Sequence, residues 1–263
     1  MSTGLDFSLD GDNASAVGFE STDFPKPLLP PQEQQVIELS GMPGAKQDSK
    51  KFKSYLLPIK GILIADSPEG LTEAIEDLKY FLYSDSDRKL ILSNQSDRYR
   101  NAQYLDQEEV LREATTVELL LKFTCNDPFA YAVEQDDIDE IAITDKGHQW
   151  NIPNEGQHYA YPIITITFNQ NQNHIYIKNN NIENCRFDIS KAFLTNDVLV
   201  IDSKEISVYF PTAGVYSPAG IGDGGLGMAI PIILRKGTNL LEIGTTDGSL
   251  KVDVNVKFNK VYF

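Results

Sequence analysis

Several stretches carry residue types that do chemistry in other proteins. Gly220-Ile-Gly222-Asp-Gly-Gly225 has the glycine spacing of a dinucleotide-binding turn. That turn works only between a strand and a helix whose N-terminus holds the pyrophosphate. Here the residues that follow read as a strand with Pro231 in it, so a glycine-rich hairpin or surface loop is the better account. His148, His158 and His174 have neither the helical pair nor the cysteine spacing of a zinc site. Asp10-Gly-Asp12-Asn13 and Asp85-Ser-Asp87 echo calcium loops but lack the closing glutamate, so turns capped by aspartate are expected. There is no Gly-x-Ser-x-Gly elbow, and neither Cys125 nor Cys185 lies in a nucleophile motif. A carboxylate pair for glycoside hydrolysis is defined by separation in space and stays open. Trp150, the one tryptophan, could stack on a sugar, although a core or rim position is its commoner use. These residues predict no catalytic set, no cofactor and no metal, and leave a scaffold or binding role in the lead.

The bulk properties narrow the class. A chain of 263 residues holds two ordinary domains or one large β domain. Its formal net charge of −15 argues against a surface that neutralises phosphates, and simple solubility explains it as well. Two cysteines make no disulfide framework, and a reducing compartment is expected. The start, Met1-Ser-Thr-Gly-Leu-Asp-Phe7, lacks the basic and apolar regions of a signal peptide, and no apolar run reaches eighteen residues, so no membrane span is expected.

The chain is organised around Val117 to Tyr131. Val117, Leu119, Leu121, Phe123 and Cys125 share one face at the two-residue period of a strand. Asp127-Pro128 then stops the pairing, because proline has no N–H for a ladder. Phe129 and Tyr131 follow as two rings suited to anchoring the chain where it leaves one domain for another. The domain boundary is therefore placed near residue 133, giving domains 1–133 and 134–263.

In the first domain, residues 1–35 read as loop and Val36 to Leu39 as a short strand. The lysine-rich segment 44–53 reads as a flexible polar loop, either a plain excursion or an arm toward a partner. Tyr55 to Ile64 is a strand whose Pro58 implies an edge or bulge. Ser67-Pro68-Glu69 caps a helix over Leu71 to Tyr83, with Leu71, Ala74, Ile75, Leu78, Phe81 and Leu82 as its apolar stripe. Lys89 to Leu92 and Arg98 to Leu105 are strands, and Glu108 to Arg112 is a polar connection. A few strands with one helix on one face make an α+β sandwich.

The second domain reads as all-β. Strands are expected at Ile138 to Thr144, Pro162 to Phe168, His174 to Lys178, Arg186 to Ile189, Val198 to Ile201, Glu205 to Phe210, Ile230 to Leu234 and Leu240 to Ile243. Asn154-Glu-Gly156 is a turn and Pro211 to Gly227 a glycine-rich loop. Leu250, Val252, Val254, Val256 and Phe258 alternate with polar residues in the cleanest strand of the chain. Short strands joined by turns indicate a β-sandwich or jelly roll.

The order of motifs resembles the distal tail protein family of tailed phages with long non-contractile tails, the siphophages. Leu78-Lys-Tyr-Phe-Leu82 is followed by Lys89-Leu-Ile-Leu92 and Asp97-Arg-Tyr-Arg-Asn-Ala-Gln103. Leu119-Leu-Leu-Lys-Phe-Thr-Cys-Asn-Asp-Pro-Phe-Ala-Tyr131 is the most specific of the signatures. Asn154-Glu-Gly156 with Pro162-Ile-Ile-Thr-Ile166, then Asp197-Val-Leu-Val-Ile201, Gly237-Thr-Asn239 and the closing strand fit the remainder. The likeness runs from about Val36 to the end; residues 1–35 and the lysine-rich segment depart from it.

The resemblance implies a belt domain at 1–133, which forms a ring, usually a hexamer, at the virion tail tip. It implies a galectin-like, jelly-roll sandwich at 134–263, whose last strand could return to the belt. Such a ring joins the tail tube to the tail-associated spike protein and carries receptor-binding or baseplate proteins. It is assembled in the host bacterial cytoplasm, with DNA passing through without specific binding and with no membrane contact. Two other classes stand beside it: a carbohydrate-binding module acting through Trp150, and a glycan-cleaving enzyme.

Overall fold

The structure, a computed structural model, describes residues 4–24, 29–38, 45–212, 215–218 and 231–263. The chain divides into two compact units, Met1–Val133 with Phe263, and Glu134–Tyr262.

Unit 1 contains β1 (Phe7–Leu9), β2 (Asp12–Asn13), β3 (Phe19–Asp23), β4 (Gln32–Glu38), β5 (Ala45–Phe52), β6 (Tyr55–Ile64), helix α1 (Pro68–Leu82), β7 (Arg88–Leu92), β8 (Arg98–Arg112) and β9 (Thr116–Cys125). β3, β6, β9 and β8 are antiparallel neighbours, and β8 also pairs with β7, which leads to β1 and β2. The register Leu57↔Phe123, Ile59↔Leu121 and Leu63↔Val117 puts the alternating apolar residues of β6 and β9 side by side on one buried face. Phe7, Phe19 and Phe123 complete that core from β1, β3 and β9, and the helix adds Leu71, Leu78 and Leu82.

The helix begins as its sequence dictates. Ser67 is extended and its Oγ accepts the Gly70 N–H at 3.0 Å, with Pro68 as the first helical residue. Ser67→Ala is expected to cost about 1 kcal/mol of stability, read as a shift in the urea midpoint at unchanged slope. Pro58 lies where β6 has β9 as its neighbour and β3 does not reach, so the missing N–H is tolerated at a local edge.

Four expectations for this unit are corrected. Residues 1–35 are not loop throughout: β1, β2, β3 and a 3-10 turn at Ala14–Val17 lie there, with Phe7, Leu9, Ala14 and Phe19 buried. Strands of two to five residues are too short to show a period. The lysine-rich segment is not a loop over Ala45–Phe52, which pairs antiparallel with Gln32–Glu38 as a two-stranded ribbon. Its polar sequence, Ala45-Lys-Gln-Asp-Ser-Lys-Lys-Phe52, shows no apolar alternation from which a strand could be read. Glu108 to Arg112 is strand rather than connection, since β8 continues to Arg112 against β9, with bulges at Leu105 and Val110. Its last eight residues are exposed, so burial left no pattern in the sequence. Pairing also resumes sooner after Asp127-Pro128 than expected: β10 (Ala130–Ile143) sets Ala130, Tyr131 and Ala132 against Arg100, Tyr99 and Arg98.

The remainder of β10 enters unit 2, with β11 (His148–Asn154), β12 (Ile163–Phe168), β13 (Gln172–Asn179), β14 (Arg186–Phe193), β15 (Val198–Asp202), β16 (Ser207–Thr212), β17 (Val215–Pro218), β18 (Gly237–Gly244) and β19 (Val252–Tyr262). One sheet runs β17-β16-β15-β12-β19-β10 and the other β11-β18-β13-β14. Ile164, Ile166, Val254 and Val256 of the first and Ile175, Ile177, Leu241 and Ile243 of the second are buried, which makes a sandwich. Phe168 and Phe193 stack at 4.1 Å between the sheets. Asn154 Oδ1 accepts the Gly156 N–H at 3.0 Å, forming the turn read at that site. Residues 231–234 form no strand and make one bridge, Leu234↔Ala160; Pro231 removes a ladder donor at its start. The chain is thus mostly β with a single described helix, an α+β unit followed by an all-β one.

Candidate functional site

A densely bonded charged group on a sheet face is Glu242 of β18. It is buried among donors from neighbouring strands. Its Oε1 accepts from Tyr176 Oη at 3.0 Å and pairs with Lys178 Nζ at 2.9 Å. Its Oε2 accepts from Gln149 Nε2 at 2.6 Å and Asn180 Nδ2 at 3.0 Å. Burial alone would raise this carboxyl, but donors from Asn180, Lys178, Gln149 and Tyr176 outweigh it and hold the pKa down to about 2. Such a group is permanently ionised and has its lone pairs filled, so it is neither a general acid nor an available base.

The Arg186 guanidinium lies over the Tyr176 ring at 4.3 Å and bonds Asp188 through Nε at 2.9 Å. Asp188 also meets His174 Nε2 at 2.7 Å, while His174 Nδ1 accepts the Thr246 N–H at 3.1 Å. His174 is therefore held on both nitrogens. His148 sits beside Glu140 at 3.2 Å and stacks on Trp150 at 5.9 Å. His158 lies apart, on a turn that bonds Val261 through its backbone N–H at 3.1 Å. The structure does not gather the three histidines into one site. Among the described residues no group of three His, Cys, Asp or Glu side chains converges as a metal site.

Trp150 is 8% exposed, on the inward side of β11. Too little of its ring faces solvent to serve as a sugar platform, and its surroundings are those of a core residue. Asp10, read from a calcium-like run, is committed to its turn: its carboxylate accepts from Arg88 Nε at 2.8 Å and the Lys89 N–H at 2.9 Å. Asp85 accepts the Tyr83 hydroxyl at 3.0 Å. Gly220 to Gly225 lie outside the described residues.

Cys125 is buried opposite Tyr55, whose hydroxyl accepts from Arg100 Nε at 3.1 Å. Burial pushes the thiol to about 11 and the phenol to about 12, so neither ionises near neutral pH and Cys125 is inert as a nucleophile. Phe129 packs edge-on against Phe52 at 5.2 Å and lies 6.0 Å from Phe263. Tyr131 stacks on Tyr99 at 5.7 Å and donates to Asp127 at 2.5 Å. The rings after the proline thus fasten the chain within unit 1.

Beyond its core, unit 1 exposes several large apolar side chains. Leu105, Val110 and Leu111 stand exposed on β8, and Tyr80 and Tyr83 at the end of α1 are 80% and 73% exposed. Sequence reasoning missed Val110 and Leu111 by reading residues 108–112 as a connection. The signal was present as Val110-Leu111 inside an acidic run.

Residues 15–125 match the family model of the phage tail protein RIFT-related domain. No curated protein matches the chain. Among solved structures the chain is similar to the Dit protein of SPP1, described as a paradigm of the hub adsorption apparatus in phages infecting Gram-positive hosts. The two share 15% identity and a TM-score of 0.78 over 98% of this chain and 99% of that one. Chains of the activated phage P2 baseplate with Ca and with Sr are similar at TM-scores of 0.47 and 0.44, with 10% and 9% identity, over 96% of this chain and 97% of theirs.

Proposed function

From a chain that has the fold of a siphophage distal tail protein along nearly its whole length and a phage tail protein RIFT-related domain at residues 15–125, we propose a structural hub of a phage or prophage tail tip. The observation that carries the reading is the extent of the likeness. It spans 98% of this chain and 99% of the SPP1 hub protein, so both units are matched together rather than one widespread module. Residues 1–133 are the belt domain and six copies close into a ring. Residues 134–263 are the galectin-like sandwich, which carries receptor-binding or baseplate proteins. The ring joins the tail tube to the tail-associated spike protein. It is built in the host cytoplasm and resides in the virion. No reaction is assigned to it: the polar clusters described above are filled by their own neighbours, as a scaffold requires.

An acidic chain suits a channel through which DNA slides, because like charge prevents binding. A reconstructed ring with a basic inner wall would contradict that part.

Light scattering on the purified chain is expected to give six times 29.4 kDa, about 176 kDa, with six-fold rings in negative stain. A mass of one chain at every concentration and salt tested would overturn the ring.

A further inference from the structure

Among the strand edges of unit 1 that have no second neighbour among the described residues, two carry opposite charge. Between Leu105 and Arg112, β8 pairs with β9 on one side, while on the other β7 reaches only as far as Ala102. All eight residues are exposed, with Leu105, Val110 and Leu111 between 49% and 58%. A free edge of this length is a template for another strand. Its bulges and its acids, Asp106, Glu108 and Glu109 against one Arg112, guard it from indiscriminate pairing and favour a strand of opposite charge.

The same chain holds such a strand. Among the described residues the ribbon of β4 and β5 pairs with no third strand. β5 is eight residues long and carries Lys46, Lys50 and Lys51 against one Asp48, with Lys53 just beyond. This is a local excess of lysine in a chain of net charge −15, and it matches the β8 edge in length and opposes it in sign.

We propose that β5 of one copy adds to the β8 edge, Leu105 to Arg112, of the next copy, and that this strand addition is the seam of the ring. Both edges are open among the described residues, and a second copy supplies a complementary strand for each. They are different surfaces, so the contact is head-to-tail. A head-to-tail contact repeated at a sixth of a turn per copy closes the collar. Backbone bonds along eight residues, roughly 27 Å of strand, supply the pairing, and the charges set the partner. The inference rests on the ring reading above and adds its contact surface.

The test is a charge-swap cycle read by light scattering on the full chain. K50E/K51E and E108K/E109K are each expected to lower the assembled fraction at micromolar protein at least tenfold, and the four changes together to restore it. Hydrogen exchange is the second readout: the amides of 105–112 that face away from β9 are slow in the assembled wild type and fast in K50E/K51E, those bonded to β9 serve as the internal reference, and an unchanged melting temperature is the folding control. If the wild type forms rings and the reversals leave them intact, the seam lies elsewhere while the hub reading stands. Loss in both reversals without recovery in the combined variant also overturns the seam, since charges on unrelated surfaces add rather than cancel. A wild type that stays single overturns the ring reading and the seam with it.

Discussion

Phe123→Ala is expected to destabilise the protein by about 3–5 kcal/mol, the largest loss from any single truncation in the unit 1 core. The ring is fully buried on β9, directly opposite Leu57 of β6 and Tyr104 of β8. It meets Phe7 at 5.7 Å and Tyr104 at 6.1 Å, both edge-to-face, so alanine removes aromatic contacts as well as apolar area. The cavity cannot collapse easily, because two strands hydrogen-bonded along their length hold the walls apart. Urea unfolding at fixed pH measures the loss, with Tyr80→Ala as the control. Tyr80 is 80% exposed on the helix, and its removal is expected to change stability by about 0.5 kcal/mol or less. A Phe123 loss no greater than the Tyr80 loss would mean that β9 does not centre this core.

That centre was legible in the sequence. Val117 to Cys125 alternates over its whole length because one face is buried and the other partly wet, and the strand follows that period. The helix was legible from local chemistry, Ser67, Pro68 and the apolar stripe, none of which needs a distant partner. The closing strand was legible for the same reason as β9: Val252, Val254, Val256 and Phe258 are buried and the residues between them are not. Boundaries were less secure where pairing outruns burial. β8 was read to Leu105 and continues to Arg112, held by ladder bonds to β9 rather than by a core. The ribbon reads as loop in the sequence because its strands are held by backbone pairing with each other and carry few apolar residues.

The polar cluster on Glu242 was not legible. A glutamate between Leu241 and Ile243 reads as the wet side of a strand. Its partners stand 62 to 93 residues away in sequence, on β11, on β13 and just beyond β13, and only the sheet order brings them together. Tyr176, Lys178 and Asn180 share one parity, which put them on one face without saying what they faced. The hub reading, by contrast, came from the order of motifs along the chain, which records ancestry rather than local physics.

The Glu242 cluster yields the second large effect, and its sign can be worked out. Folding lowers this carboxyl from 4.5 to about 2, because four donors outweigh the cost of burial. A depressed acid contributes stability that is fully present above its unfolded pKa and is lost as pH falls through the folded one. The contribution is therefore whole at pH 6 and 7, begins to fade near pH 5 and is gone near pH 2. Lowering the carboxyl to about 2 corresponds to an upper value of about 3 kcal/mol. Glu242→Gln keeps the shape but turns one acceptor into a donor among groups that already donate. It is expected to cost about 2–4 kcal/mol at pH 7. Other carboxylates held low, Asp188, Asp253 and Asp10 among them, add their own acid limb to both proteins. The informative quantity is thus the difference between wild type and variant, from urea unfolding at each pH. That difference should be widest at neutral pH and shrink between pH 5 and pH 2. Parallel acid limbs would mean that the donors around Glu242 hold it through shape and not through its charge.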